Sequence, residues 1–341
     1  MTEHSARNLA HEVVAEIYPL LRRLATEDDP EARPITLETE IRRRRAMPPH
    51  VDGLTVVARN PAGSVDGILD CTWYTVAGLD HVTVRIRVFP DARRRGLGSA
   101  LLARASDAAD AQGRRLLWGW TRATSPGGEA FCRRLGADVA QVIRESRLDL
   151  EQVDRDLIER WVREGPSRAC GYSLLFVEGP TPDDLMDDAL HLAQVLIDTA
   201  PRDNLSYGDR RVTAEELRSE EEASLQMGVI QWVLYAHENA TGRLVGRTDL
   251  LLGADDPERL EVGTTVVDPD HRGRALGKWL KATMVERALD ILPDARRIVT
   301  YNAASNDAML GINQALGFRP APPIIRWQVP VDRVRQHLAS R

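Results

Sequence analysis

One short pattern occurs twice in this chain and limits the fold more than any other feature. Val88-Phe89-Pro90-Asp91-Ala92-Arg93-Arg94-Arg95-Gly96-Leu97-Gly98 aligns with Val267-Asp268-Pro269-Asp270-His271-Arg272-Gly273-Arg274-Ala275-Leu276-Gly277 at an offset of 179, with seven of eleven positions identical. Leu135-Gly136 and Leu316-Gly317 match again at an offset of 181. Two matches at nearly one spacing mark a duplicated unit of roughly 170–180 residues. A chain of 341 residues therefore holds two units, each long enough to bury its own core.

The surroundings of the two copies agree. Each follows a β-branched run, His81–Val88 or Glu261–Val267, that reads as a strand. Each opens an amphipathic helix, Ser99 to about Gln112 and Lys278 to about Ile291, with Leu101, Leu102 and Ala105 or Leu280, Met284 and Ala288 at helical spacing. A strand follows (115–121, 297–302), then a short helix ending at Gly136 or Gly317, where glycine suits a C-cap. Paired strands precede each loop, at 54–59 with 65–73 and at 231–237 with 244–252. The expected fold is α/β (α+β): two tandem domains, each a mixed, mostly antiparallel sheet flanked by helices. The first domain is expected at 1–150, a linker helix and turn at 151–168, and the second domain at 169–341.

A strand–loop–helix turn rich in arginine and glycine suits a diphosphate. The helix start leaves backbone N–H groups unpaired and carries partial positive charge. Glycines admit the anion close to that backbone, and arginines add charge and paired donors. A single copy is also readable as an ordinary tight turn; two copies in one setting weigh against that. GxxxxGK[ST] is absent, and paired strands before the loop do not fit a dinucleotide fold.

These residues resemble the GNAT superfamily of acyl-CoA-dependent N-acyltransferases, whose signature loop is Q/R-x-x-G-x-G/A between the fourth strand and third helix. Arg93, Gly96 and Gly98 match it, as do Arg272, Ala275 and Gly277 with alanine at the middle glycine. Downstream, the family's Asn, Tyr and Gly-Phe correspond to Asn306, Asn313 and Gly317-Phe318, and to Ser125, Cys132 and Gly136-Ala137. The resemblance covers nearly the whole chain and extends to the tandem, mycothiol-synthase-like architecture. It implies acetyl-CoA as cofactor. Its pantetheine arm would lie between two splayed strands, against Thr265, Val266 and Val267, and its pyrophosphate on Arg272, Gly273, Arg274, Ala275, Gly277 and Lys278. Asn302, Asn306 and Asn313 would bond pantetheine amides, although Asn306 also suits a helix cap. In the first half the equivalents are Ile86–Val88 (Ile86 and Val88 foremost) and Arg93, Arg94, Arg95, Gly96, Gly98 and Ser99.

In histone acetyltransferases of the superfamily a glutamate eleven residues before the loop is the general base. Glu261 occupies that place before Arg272, whereas Val82 occupies it before Arg93. The resemblance thus puts the chemistry in the second half, with Glu261 as base and the N–H of Val266 or Val267 as oxyanion donor. A solvated strand-end residue is the other reading of Glu261. Tyr301 is the nearest candidate acid, because Asn313 stands where the family has tyrosine. Asp80 and His81 flank Val82 as substitute bases. Cys132 reads as a buried structural thiol rather than a nucleophile. The expected activity is acetyl transfer to a primary amine of a small molecule. A non-catalytic acetyl-CoA-binding or regulatory protein, and a protein N-acetyltransferase, remain as alternatives.

Trp232, Arg247 and Asp249, the helix near Asp183–Ala200, the acidic stretch Glu215–Glu222 and the loop Asp198–Tyr207 are the segments expected to meet the acceptor. Asp203, Asp249 and Glu261 would attract a cationic amine. A net charge of -6 points to neither nucleic acid nor an anionic membrane. Arg42–Arg45 reads as a solvated helix face or, less simply, a polyanion site. Three widely spaced cysteines give neither a disulfide framework nor a CxxC metal site, so no metal is expected. No leader-like or bilayer-length apolar run is present, which makes a cytoplasmic location the expectation. The chain is expected to be a pseudo-dimer in itself, monomeric or homodimeric in solution.

Overall fold

The computed structural model describes residues 1–341 except 30–32, 77, 207 and 341. Tyr207, in the segment assigned to a loop above, thus lies outside the described residues. In chain order the elements are β1 (Thr2–Ser5), α1 (His11–Asp28), α2 (Leu37–Arg45), β2 (Val51–Arg59), β3 (Val65–Tyr74), β4 (His81–Val88), α3 (Leu97–Ala111), β5 (Leu116–Arg122), α4 (Pro126–Leu135), β6 (Asp138–Asp149), α5 (Arg155–Arg168), β7 (Tyr172–Glu178), α6 (Met186–Thr199), α7 (Ala214–Gln226), β8 (Val229–Glu238), β9 (Leu244–Gly253), β10 (Arg259–Val262), β11 (Thr265–Val267), α8 (Leu276–Ile291), β12 (Arg297–Ala303), α9 (Asp307–Ala315), β13 (Arg319–Pro320), β14 (Ile324–Pro330) and α10 (Val331–Ala339). No helix among the described residues is long and apolar enough to cross a membrane.

The chain forms two compact units. The first takes Met1–Ile143, Arg202–Arg210 and Pro322–Arg341; the second takes Arg144–Pro201 and Arg211–Ala321. The chain therefore changes unit inside β6, and β14 and α10 belong with the first unit, unlike the simple cut at 151–168. The segment 151–168 does not link: α5 runs through Gly165-Pro166 and is part of the second unit.

In the first unit the strands lie in the order β1-β2-β3-β4-β5-β14-β6, antiparallel except for the β4–β5 pair. Leu101, Leu102 and Ala105 of α3 pack on Leu69, Val82 and Leu117 from one face. Val14, Ile17 and Leu20 of α1 pack on Val57 and Ile68 from the other. In the second unit the C-terminal part of β6 is followed by β12, β10, β9, β8 and β7, with β11 on β9 and β10 parallel to β12. Leu276, Leu280 and Met284 of α8 pack on Leu250, Leu260 and Ile298; Leu192 and Val195 of α6 cover Val233, Tyr235 and Val266. The units repeat each other strand by strand: β3 and β9 begin and end 179 residues apart, as do the starts of α3 and α8.

Arg44 departs from the expected solvated face. It bonds Glu40 (2.7 Å) and Asp70 (3.0 Å), with its side chain 12% exposed. Asp70, on β3, is also bound by Arg87 (2.8 Å). Burial opposes its charge, but the two guanidinium groups outweigh that and hold its carboxyl well below the usual range.

Helix α8 is held against the sheet by α5, at a point where α5 has no side chain. A Cβ on Gly165 would meet Trp279 ring atoms at 2.3–2.4 Å. Gly165→Ala should therefore destabilise the protein by about 1–3 kcal/mol, as expected for overpacking, and lower its urea midpoint accordingly, whereas Gly253→Ala, at an open position that is not left-handed, should cost less. Urea titration of the two variants measures the difference.

Candidate active site

Two parallel strands that stay paired over only part of their length leave a gap with unpaired backbone. In the second unit β10 pairs with β12 from Arg259↔Arg297 to Val262↔Thr300. Beyond that, β11 turns to β9 alone, so Thr265–Val267 and Tyr301–Ala303 form the two arms of a fork. The first unit has a fork as well: β4 pairs with β5 only over His81–Thr83.

The two forks differ in how they are made. The β9 partners of Leu260 and Glu261 are Leu252 and Leu251, but that of Thr265 is Thr248. One extra residue has thus entered the β10–β11 side, which is a β-bulge. Asp249 holds it. Its Oδ1 accepts the Thr264 N–H (2.5 Å) and its N–H donates to Thr264 O (3.0 Å). Arg247 (2.6 Å) and Gln231 (3.2 Å) hold Oδ2. Gly263 is required there, since a Cβ would lie 2.8 Å from Asp249 Oδ1. In the first unit β4 pairs with β3 in unbroken register from Thr72↔Thr83 to Gly67↔Val88, and Asp70 binds arginines instead.

The ladder also decides which backbone groups face the gap. Asp249 N–H donates to Thr264 O and Asp268 N–H to Val245 O. Alternation along an antiparallel pair then turns the backbone of Val266 toward β9, and that of Thr265 and Val267 toward the open side. This corrects the expectation for Val266. The same alternation opens Ile86 and Val88 in the first unit, where Phe89 N–H donates to Asp66 O.

Past each fork the loops repeat one design. Arg93 Nε donates to Val88 O (3.1 Å) and Arg272 Nε to Val267 O (3.0 Å), so the leading arginine fastens the loop to its strand. Two residues of each loop are left-handed: Arg94 and Gly96 in one, Gly273 and Ala275 in the other. Gly96 and Ala275 are the N-cap residues of α3 and α8, and neither helix has a side-chain cap there. Arg95 and Arg274 precede them, Gly98 with Ser99 and Gly277 with Lys278 lie in the first helical turns, and a Cβ at Gly98 or Gly277 would lie 3.5 Å from Phe131 or 3.4 Å from Ile312. First-turn N–H groups have no partner within their own helix, so an anion fits at either loop. The surroundings differ. Glu27 takes both outer nitrogens of Arg93 (2.9 and 2.8 Å). Arg272 instead donates to the hydroxyl of Thr199 (3.0 Å). Arg274 bonds Tyr172 Oη, and Lys278 lies over the Trp161 ring, 5.2 Å from its centroid.

Glu261 and Tyr301 are brought together by a residue the sequence did not single out. Arg259 Nη2 donates to Glu261 Oε2 (2.9 Å) and Tyr301 Oη (3.1 Å). Leu260 and Val262 face the α8 core, so Glu261 and Arg259 lie on the opposite face. Asn313 Nδ2 donates to Asn302 Oδ1 (2.8 Å), and Asn306 accepts from Met309 N–H (3.3 Å) as the cap of α9. Asn306 is thus committed as a cap rather than offered to a ligand. Trp232 lies in the core with Phe176, and Asp249 is 2% exposed with its oxygens engaged, so neither is available to an acceptor. In the first unit His81 is stacked on Trp118 (3.6 Å) and burial pushes its pKa down to about 4; Asp80 binds Arg115. Burial pushes the Cys132 thiol up to about 12, against a nucleophilic role.

The acetyltransferase (GNAT) family model matches residues 15–137 and again 198–318, and the chain belongs to that family, with two of its units in tandem. A mycothiol acetyltransferase from Geodermatophilus obscurus is 31% identical over 141 residues, 41% of this chain and 43% of the relative, so the match spans less than half of either. A tandem GNAT protein from the clavulanic acid biosynthesis pathway superposes with a TM-score of 0.78 at 28% identity, over 97% of this chain and 99% of its own. A GCN5-related N-acetyltransferase from Sphaerobacter thermophilus shares the fold, with a TM-score of 0.65, 14% identity and 96% of each chain covered.

Gly277→Glu sets a carboxylate at the α8 start and should weaken coenzyme A binding by about tenfold or more. Gly96→Glu, in the loop whose arginine already serves Glu27, should leave affinity within about twofold. Calorimetric titration of both folded variants separates the two loops.

Proposed function

We infer that the second unit transfers the acetyl group of acetyl-CoA to a primary amine of a small molecule, with Glu261 receiving the acceptor proton. The bulged fork of the second unit, leading into an uncapped helix start, carries this reading; the first unit lacks the bulge. Acetyl-CoA supplies the activated acetyl group. The residues of the second unit suit it: Arg272, Gly273, Arg274 and Ala275 lead to the free N–H groups of Leu276, Gly277 and Lys278, and a Cβ at Gly273 would meet nothing within 4 Å. Thr265 and Val267 offer backbone groups to the pantetheine amides, and their N–H groups are the donors best turned toward a thioester oxygen as negative charge grows on it.

Glu261 stands beside this gap with a side chain 32% exposed. Arg259 orients its carboxylate, within reach of an acceptor proton directly or through one water. Tyr301, on the same guanidinium, lines that side of the fork. A small amine-bearing metabolite is the acceptor class that similarity to a mycothiol acetyltransferase and to a clavulanic acid pathway protein supports.

Thioester turnover with a panel of amines identifies an acceptor; CoA binding without turnover on any of them would point to a non-catalytic role. With an acceptor in hand, Glu261→Gln should lower kcat by about 10²–10⁴-fold and leave CoA affinity unchanged, because the loop contacts lie elsewhere. The defect should shrink as pH rises toward the acceptor's own pKa, where the amine is already free. A variant within about threefold of wild type at pH 7, with chemistry rate-limiting, would remove Glu261 from the mechanism.

A further inference from the structure

A lysine lies on the inner side of α8, where the helix otherwise packs apolar residues. Lys281 is 3% exposed, and it borders a small cavity walled by Thr248, Val262, Met284, Ile298 and Phe318. Its ammonium lies over the Phe318 ring, 5.4 Å from the centroid. Two of the walls locate the cavity. Val262 is the last β10 residue paired with β12. Thr248 Oγ1 is 2.8 Å from the hydroxyl of Thr265, the first residue past the bulge. The cavity thus lies under the crotch of the fork, on the face opposite Glu261. Lys281 also follows Gly277 by four residues, on the same side of the helix, and helical side chains lean toward the N-terminus, here toward the loop.

The position is unfavourable for a charge. Burial pushes the ammonium pKa down to about 8, and Asp249 alone raises it. That aspartate, from β9, is already paired with Arg247; β10 and β12 turn Val262 and Ile298 to the cavity, and the segment after α9 turns Phe318. A methionine of similar volume would fill the space without the desolvation cost, so packing does not account for a lysine.

The geometry points to Lys281 as the residue that receives the departing coenzyme A thiolate. This rests on the second unit being the acetyl-CoA site. Arg272–Lys278 would anchor the coenzyme, and an arm held along Val267 and Thr265 would bring its sulfur toward the crotch. As the acceptor nitrogen bonds the acetyl carbon, the C–S bond breaks and its electron pair passes to sulfur. The Lys281 ammonium hydrogen-bonds that sulfur and stabilises it as the thiolate; the lysine keeps its proton, and the thiolate takes one from water as the coenzyme leaves. The acceptor's own proton leaves on the Glu261 side. Lys281 thus supplies from α8 the positive charge beside the leaving sulfur that Asn313, on α9, does not carry.

Coenzyme A itself is the probe. The ultraviolet absorbance of the thiolate, followed against pH, gives the ionisation of the bound thiol. In wild type it should fall below that of free coenzyme A by about one unit or more, as for a thiol close to an ammonium. Lys281→Met should return it to the free value or above, and Lys281→Arg should keep it low. Desulfo-coenzyme A, which lacks the sulfur, should bind wild type and Lys281→Met within about twofold of each other. A bound thiol that ionises no lower than the free one in wild type overturns the proposal without any variant. So does equal ionisation in wild type and Lys281→Met. Failure of wild type to bind either coenzyme overturns instead the assignment of the site to acetyl-CoA.

Discussion

A buried carboxylate that takes a single backbone N–H shapes the second unit. When a strand leaves its parallel neighbour, the N–H at the departure point loses its ladder partner, and an unpaired buried donor costs about 1–3 kcal/mol. Asp249 supplies the missing acceptor for Thr264, so the bulge is stable and the register of β11 on β9 shifts by one. Past the bulge Thr265 and Val267 turn to the gap and Arg272 reaches back to Val267, as Ile86, Val88 and Arg93 do in the first unit without a bulge; the shift is thus confined to how Glu261 and Gly263 approach the fork. Gly263 completes the arrangement by leaving room for the carboxylate.

The equivalent aspartate of the first unit, Asp70, 179 residues earlier, shows what happens without that N–H. Arg44 and Arg87 take its oxygens, β4 stays in register, and the fork opens without a bulge. The loops have diverged in the same sense. Each needs two left-handed residues, but the glycines that ease them sit at different places, Gly96 in one and Gly273 in the other. Arg94 and Ala275 carry the remaining left-handed positions at a cost of about 1–2 kcal/mol each. The fuller glycine motif of the first unit also carries a counter-charge that the second lacks, because Glu27 pairs with its leading arginine.

Most of this architecture was legible from the repeat. Strand alternation, the helix starts and the C-cap glycines located β4, α3, β10–β11 and α8 because each is a local signal. The bulge was not legible, since Asp249 and Thr264 are fifteen residues apart and nothing local pairs them. Arg259 was missed for the same reason, and the return of β14 and α10 to the first unit is a choice of tertiary partner that periodicity does not encode. Arg44 looked like one of four surface arginines until β3 placed Asp70 under it. Lys281 could have been found. Val285 and Ala288, four and seven residues on, are buried, and that spacing puts position 281 on the inner side of α8.

In the proposed reaction a carboxylate and an ammonium serve one thioester from different sides. If Glu261 and Lys281 shared a face, the carboxylate would occupy the ammonium before any thiolate formed. The alternation of β10 prevents this: Glu261 points away from α8 while Leu260 and Val262 point toward it. Each is then tuned by its own neighbours. Glu261 is oriented by Arg259 in a part-exposed setting open to water. Lys281 is buried over the Phe318 ring, and its charged neighbour Asp249 is shared with Arg247, so its charge is only partly compensated. A departing thiolate at the crotch is the anion that the fold brings there, and it appears only as the bond to carbon breaks. In this arrangement the buried lysine is worst solvated in the ground state and best paired after the transition state, which is the direction of change that favours the forward step.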